Sequence, residues 1–270
     1  AAAPHVVRLA LVLTLAGCTP PAARPIVPPP PSSGADVVAR MHARWSGRWV
    51  TTLTFTQQNS RLTRDGREDP STWLVWRQAP GRQRIEFLPA AVLAVNPSAP
   101  ATENGAVYAD GRVTTITAGV AARAQEQLDP VLLFTADLYA QPVAESVKQL
   151  TTFGVDLTTV RRDSFETRAV WVVGAAAGDL TRPQLWVDAA RWTVLRAVDR
   201  PAATPGGRVS AATEYRFRDH RDVGGAPLPH EIVVLRDGQR VVRQRWTQVR
   251  ADAPLDPALF DPAQWRRARR

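Results

Sequence analysis

The chain has 270 residues, 44 % of them hydrophobic and 22 % charged, the balance of an ordinary globular protein. That composition excludes a mostly disordered chain, a collagen-like fibre and a polytopic membrane protein, and a single Cys excludes a disulfide framework or a Cys-based zinc site. Basic residues outnumber acidic ones by 34 to 25, a net charge of +9 in which Lys148 is the only Lys; the dispersal of the arginines argues against a nucleic-acid partner and suits an anionic membrane surface, an attraction that weakens with salt.

Residues 1–17 read as a secretory signal. Arg8 supplies a weak positive start, and the apolar run 9–15 is far shorter than the ~20 residues a bilayer span needs. The sequence Leu15-Ala16-Gly17-Cys18 resembles the bacterial lipobox, so Cys18 is the expected lipidation site, and the protein is expected in the cell envelope, anchored by lipid to the outer membrane and facing the periplasm. Residues 18–34 are dense in proline, which cannot enter a helix interior or a central strand and favours extended polyproline II. They predict a tether, followed by a folded domain over 35–265 and a basic tail over 266–270.

Residues 35–45 place Val37, Val38, Met41 and Trp45 at helical spacing, with Asp36 in the first turn where it favours the helix dipole. Strands follow. Over 48–57 Leu53 and Phe55 share one face with Trp49 and Thr51; over 71–77 Leu74 and Trp76 oppose Trp73 and Val75; over 82–87 Ile85 and Phe87 oppose Arg82, Arg84 and Glu86. The pair 105–109 and 112–117 flanks Asp110-Gly111, a strong hairpin signal. At Asp129-Pro130 the period changes, and 130–138 and 142–152 read as two helices closed by Gly154. Strands resume near Asp156 and run to about Arg250, over 168–173, 184–188, 193–199, 210–218, 231–235 and 240–249, with Asp237-Gly238 as another hairpin turn. The predicted fold class is mainly β with α, one antiparallel sheet or partial barrel. Leu255, Leu259 and Phe260 in the tail are placed to cover a sheet edge.

This layout resembles the LolA/LolB-like fold of the outer-membrane lipoprotein-sorting family. The resemblance spans residues 35–265 and rests on the order of several short segments: Thr-Leu-Thr-Phe-Thr-Gln at 52–57, Pro-Gly-Arg-Gln-Arg-Ile-Glu at 80–86, Val-Tyr-Ala-Asp-Gly at 107–111, Gly-Val-Asp at 154–156, Gln-Leu-Trp-Val-Asp at 184–188, Leu-Pro at 228–229 and Leu-Phe-Asp-Pro at 259–262. It implies a half-open antiparallel β-barrel around an apolar cavity, with helices as its lid, and binding of the acyl chains of lipoproteins or lipids. The expected partners are those acyl chains, the membrane, and a periplasmic lipoprotein carrier. On this reading Leu53, Phe55, Leu74, Trp76, Ile85 and Phe87 line the cavity, and Leu132, Leu133, Phe134 and Leu138 form the lid. The resemblance also implies an arginine that holds the lid closed, here Arg82 or Arg84; equally, these arginines read as a solvated face or as salt-bridge partners of Glu86. Residues 88–95 lie between strands, and the resemblance makes them an apolar membrane-inserting loop with Leu93 at its tip, against an extra strand or a buried loop. Strands with two apolar faces, such as 170–173, need a partner on each face, and a filled core without a cavity satisfies that as well. The alternatives on the same scaffold are an RseB-like envelope sensor and a structural lipoprotein.

No catalytic constellation, metal-ligand spacing or phosphate loop occurs among the four His (His5, His42, His220, His230) and their neighbours. The sequence predicts no enzyme, no metal and no cofactor.

Overall fold

The structure is a computed structural model describing residues 29–89, 101–200 and 211–268. Cys18, Leu93 (expected at the tip of a membrane-inserting loop) and the last two arginines lie outside the described residues. The fold is carried by one compact unit that begins at Pro31.

It begins with a helix over Gly34–Trp45. The Ser33 hydroxyl accepts from the Asp36 amide at 3.1 Å, and the Asp36 carboxylate accepts in return from Ser32, so the first turn is closed by its own polar residues. The apolar residues expected on one face, Val37, Val38, Met41 and Trp45, are all buried. Gly47 adopts a φ of 68° just after the helix, and the chain then turns toward the sheet, so the first strand starts at Thr52 rather than at residue 48.

Among the described residues, fourteen strands form one antiparallel sheet: β1 (Thr52–Leu62), β2 (Glu68–Gln78), β3 (Arg82–Phe87), β4 (Gly105–Ala109), β5 (Arg112–Thr117), the two-residue β6 (Val120–Ala121) and β7 (Gln125–Glu126), then β8 (Val160–Phe165), β9 (Arg168–Val173), β10 (Gln184–Asp188), β11 (Val194–Asp199), β12 (Thr213–Val223), β13 (Ala226–Arg236) and β14 (Gln239–Ala251). Their order is β6-β5-β4-β3-β2-β1-β14-β13-β12-β11-β10-β9-β8, with β7 beside β5, and the ends do not meet. Both Asp-Gly signals form the expected tight turns, with φ of 52° and 72° at Asp110-Gly111 and 49° and 77° at Asp237-Gly238.

This order dictates where the mid-chain helices go. The first half of the sheet spreads from β1 to one edge; the second half starts at the opposite edge and returns to β1 through β14. The connection from β7 to β8 must therefore cross the sheet's width. It does so as a short α turn (Pro130–Leu132), a π-helical turn (Leu133–Asp137), a second α turn (Leu138–Ala140) and a helix over Val143–Thr152. With the N-terminal helix, these pack on one face of the sheet, the inner face.

The main core lies between helices and inner face. Leu53, Phe55, Val75, Ile85, Phe217, Ile232 and Trp246 from the strands meet Leu133, Phe134, Leu138, Tyr139 and Leu150 from the crossing segments. The outer face is buried at three places. Leu74 and Trp76 pack against Leu259 and Phe260; Val107 and Ile116 against Trp265; Val170 and Val172 against Trp186 and Leu195. The C-terminal residues thus cover an outer face instead of an edge, as two 3-10 turns, Pro257–Phe260 and Pro262–Gln264. Gly105 is required there: a Cβ at this position would stand 2.2 Å from the Ile85 carbonyl oxygen and 2.4 Å from the Trp265 ring.

Candidate functional site

The segment crossing the inner face, residues 130–140, is the candidate lid. Asp129 starts it: one carboxylate oxygen accepts from the Val131 and Leu132 amides at 2.8 and 3.4 Å, and Pro130 follows at a position that needs no donor. The other oxygen of Asp129 accepts from the Gln83 side-chain amide at 2.6 Å. The lid is thereby pinned to β3 at its first residue.

A second pin lies deeper. Arg77, on β2, is 3 % exposed. Its Nε donates to the Gln83 side-chain carbonyl and one terminal nitrogen donates to the Thr135 hydroxyl at 2.9 Å. The guanidinium also lies beside the stacked Phe55 and Trp246 rings, at 5.0 and 4.7 Å from their centroids, where a cation gains from the ring electrons. Thr135 donates in turn to the Val131 carbonyl at 2.6 Å, and its own carbonyl accepts from the Trp49 indole at 3.1 Å. A π turn displaces carbonyls from the ordinary helical ladder, and here one of them is taken by a tryptophan from outside the lid. Trp49 stacks on Tyr139 at 3.8 Å, and the Tyr139 hydroxyl accepts from the Val194 amide at 2.8 Å on β11. The lid therefore bridges the β2–β3 side of the sheet to β11.

Burial perturbs the groups of this latch. The Arg77 guanidinium is pushed down to about 10 by desolvation, against the pull of Asp129 and Asp137. Asp137 is 4 % exposed and accepts from the Gly81 amide at 3.0 Å. Desolvation raises its pKa to about 6, opposed by that hydrogen bond and by Arg77.

The residues expected to line a cavity divide between the two faces. Leu53, Phe55 and Ile85 lie in the main core with Leu133, Phe134 and Leu138, and partly buried Phe87 packs against it. Leu74 and Trp76 do not join them, because they point to the outer face under the C-terminal turns. The register explains this: Phe55 pairs with Val75 and Val75 with Ile85, so the inner face of β2 carries Trp73, Val75 and Arg77. Leu132 is buried beside a small pocket of about 40 Å³ that it shares with Leu133, Asp129 and Asp137. This pocket continues outward into a cleft of about 960 Å³ at the rim, between the turns at Gly81 and Gly111 and the helix Val143–Thr152. The volume beneath the lid is occupied by the lid's own Leu133, Phe134, Leu138 and Tyr139.

Neither arginine expected at the lid is placed against it as Arg77 is. Arg82 is exposed at the rim cleft and donates to Gln78 at 3.4 Å. Arg84 is fully buried on the outer face, bonded to Glu86 at 2.8 Å, to the Trp265 carbonyl at 2.7 Å, and stacked on the Trp265 ring at 3.7 Å. This is the salt-bridge reading of that segment, with a C-terminal turn added. A detectable signal for Arg77 did exist: it is the charged residue in line with Trp73 and Val75, where an inner face should be apolar.

Among the described residues no group of three or more His, Cys, Asp or Glu is placed to hold a metal ion, and no helix is long and apolar enough to cross a membrane.

An open antiparallel half-barrel with helices crossing its inner face defines the architecture: it is the LolA/LolB-like fold. Two solved structures share it, and a third is similar more weakly. A domain from Vibrio parahaemolyticus described as an outer membrane lipoprotein-sorting protein superposes with a TM-score of 0.55 at 10 % identity, covering 87 % of this chain and 98 % of that one. A DUF1329 family protein from Desulfovibrio piger gives 0.54 at 15 % identity, covering 86 % and 97 %. A LolA superfamily protein from Nitrosomonas europaea gives 0.49 at 13 % identity, covering 82 % and 94 %. No family model and no curated sequence matches the chain.

Proposed function

We propose that this protein is an envelope lipoprotein that takes an acyl chain beneath the lid, in the sorting of lipoproteins or lipids to the outer membrane. The observation that carries the reading is the Arg77 latch. A helix packed permanently on a sheet can be held by apolar contact alone, and a buried cation adds a desolvation cost that its hydrogen bonds and ring contacts must offset. A lid that must leave and return to one position has a use for directional bonds, because apolar contact alone does not specify register.

The exchange is energetically feasible. Acyl methylenes gain about 0.8 kcal/mol each on leaving water, so about a dozen supply roughly 10 kcal/mol. Opening the lid costs about 1 kcal/mol for each hydrogen bond lost, or up to 3 where a charge is involved. Leu133, Phe134, Leu138 and Tyr139 would each lose about 1.5–3 kcal/mol of burial unless they repack on the acyl chain, which the exchange therefore requires. The displaced lid side chains are themselves apolar, so the chamber stays dry while its contents change. The rim cleft, opening toward Leu132 and Leu133, is the proposed entrance. Lipidation at Cys18 and the 18–34 tether would hold the domain at the membrane, and Leu93 is kept as the proposed inserting residue.

Mass spectrometry of lipid extracted from the purified full chain tests this, together with uptake of a fluorescent fatty acid. Bound acyl lipid, and faster probe entry when Arg77→Met weakens the latch, are the expected results. A lipid-free protein that takes up no probe even as Arg77→Met would refute acyl binding and leave the filled-core alternative.

A further inference from the structure

We infer that Arg162, Arg168 and Arg191 form a binding site for a phosphate group, separate from the lid. They line one cleft of about 380 Å³ at the end of the second half of the sheet, formed by β8, the start of β9 and the β10–β11 turn. The remaining walls are Ala169, Ala189, Ala190 and Asp188. Three short side chains leave the space open, and by the share of volume a water molecule takes, it holds about a dozen heavy atoms. A phosphate with a glycerol-sized substituent fits.

The charge balance defines the ligand class. Asp188 is the single carboxylate among the described residues that line the cleft, and it is already engaged. One of its oxygens accepts from the Ala190 and Arg191 amides at 2.8 and 2.9 Å; the other meets Arg168 at 3.4 Å. Among the described residues neither Arg162 nor Arg191 forms an ion pair, whereas nearby Arg161, Arg218 and Arg221 each pair with a carboxylate. The cleft therefore holds three cations against one anion.

The site is also held in place. The Arg162 guanidinium lies 4.7 Å over the Trp171 ring, and the Arg191 carbonyl accepts from the Trp45 indole at 2.9 Å. The local field is felt by a neighbour: the His220 imidazole is pushed down to about 4, mainly by burial and further by Arg168 and Arg191. Guanidinium groups present paired donors that match phosphate oxygens. The same chemistry is available from an anionic lipid headgroup or from a free phosphate. A headgroup source would place this end of the domain on the membrane surface.

The test uses the full chain with Cys18→Ser, so that no acyl anchor contributes. Flotation with phosphatidylglycerol vesicles is compared with phosphatidylcholine vesicles, and binding of glycerol 3-phosphate and of inorganic phosphate is measured by calorimetry. Arg162→Gln/Arg191→Gln is compared with Arg61→Gln/Arg64→Gln, which removes equal charge elsewhere, and thermal melts check folding of both. The expected result is anionic-vesicle binding that glycerol 3-phosphate competes away, weakened roughly tenfold or more in the cleft variant and little in the control. Phosphate binding without vesicle binding, lost in the cleft variant, also supports the site and assigns it to a soluble ligand. Equal loss in both variants would reduce the effect to diffuse charge and overturn the proposal, as would no binding of vesicles or phosphates.

Discussion

Two buried arginines, seven positions apart in adjacent strands, serve opposite faces of one sheet. Arg77 reaches inward to Thr135 and Gln83; Arg84 reaches outward to Glu86 and Trp265. Removing each should therefore have a different signature. Arg84→Met leaves the buried Glu86 carboxylate without its guanidinium and should lose about 3 kcal/mol in urea unfolding, with no change in the rate of acyl-probe entry. Arg77→Met should speed probe entry with a smaller loss of about 2 kcal/mol. Asp137 makes a separate prediction. Its folded pKa, about 6, lies above the ordinary 3.8. The folded protein therefore binds a proton more tightly than the unfolded chain, and the stability this carboxyl contributes is present below about pH 4 and lost as pH rises toward 6. Asn keeps an oxygen for the Gly81 amide without the charge. Asp137→Asn should accordingly be more stable than the wild type by up to about 3 kcal/mol at pH 7.5, the gap closing toward pH 4. His220, lowered from 6.5 to about 4, acts in the other direction, losing its contribution as pH falls; it is present in both proteins and cancels in the difference.

Elements show how local sequence and long-range packing divide the work. The capped start of the first helix, the two Asp-Gly turns and the Pro130 start of the lid are local chemistry. The π turn is different. Residues 130–138 read as an ordinary helix, but Thr135 and Asp137 are drawn to partners on β2, on the β2–β3 turn and at Trp49, and the wider turn accommodates these bonds. The C-terminal turns are the other long-range element. Trp265 is 2 % exposed, fills the space beside Val107 and Ile116, and donates its indole to the Thr102 carbonyl at 2.7 Å. Trp265→Ala should cost about 4 kcal/mol in chemical denaturation, and it also opens the cover over Arg84.

At the scale of the whole molecule, the sheet order makes the lid a crossing rather than a layer. The sheet's strands are held by ladders on their neighbours, while the lid is held by a few side-chain bonds and apolar contact. Hydrogen exchange should therefore open residues 130–152 at lower free energy than the central strands β1, β13 and β14; equal protection in both regions would argue against a lid that moves independently. Much of this fold was legible beforehand, because alternation, proline, glycine and Asp-Gly turns are local signals, and the order of short segments pointed to the half-barrel. The candidate site was legible in part. The lid stripe of Leu133, Phe134 and Leu138 could be read, but the choice of face on β2 could not, and that choice moved Leu74 and Trp76 outward and hid Arg77. Period-two patterning identifies two faces without saying which is inside, and in a sheet buried on both sides each is apolar.

By itself, the amino-acid sequence determined the strand-rich class, the positions of the tight turns, the mid-chain change from strand to helix and the two-faced apolar character of the sheet, all of which arise from neighbours in the chain. Only the tertiary structure decided which face residues 130–140 cover, which arginine contacts them and what the C-terminal turns protect, because these depend on the pairing of β1 with β14 and on packing residues 130–140 and 257–265 against the sheet, contacts between residues far apart in the chain that leave no periodic trace.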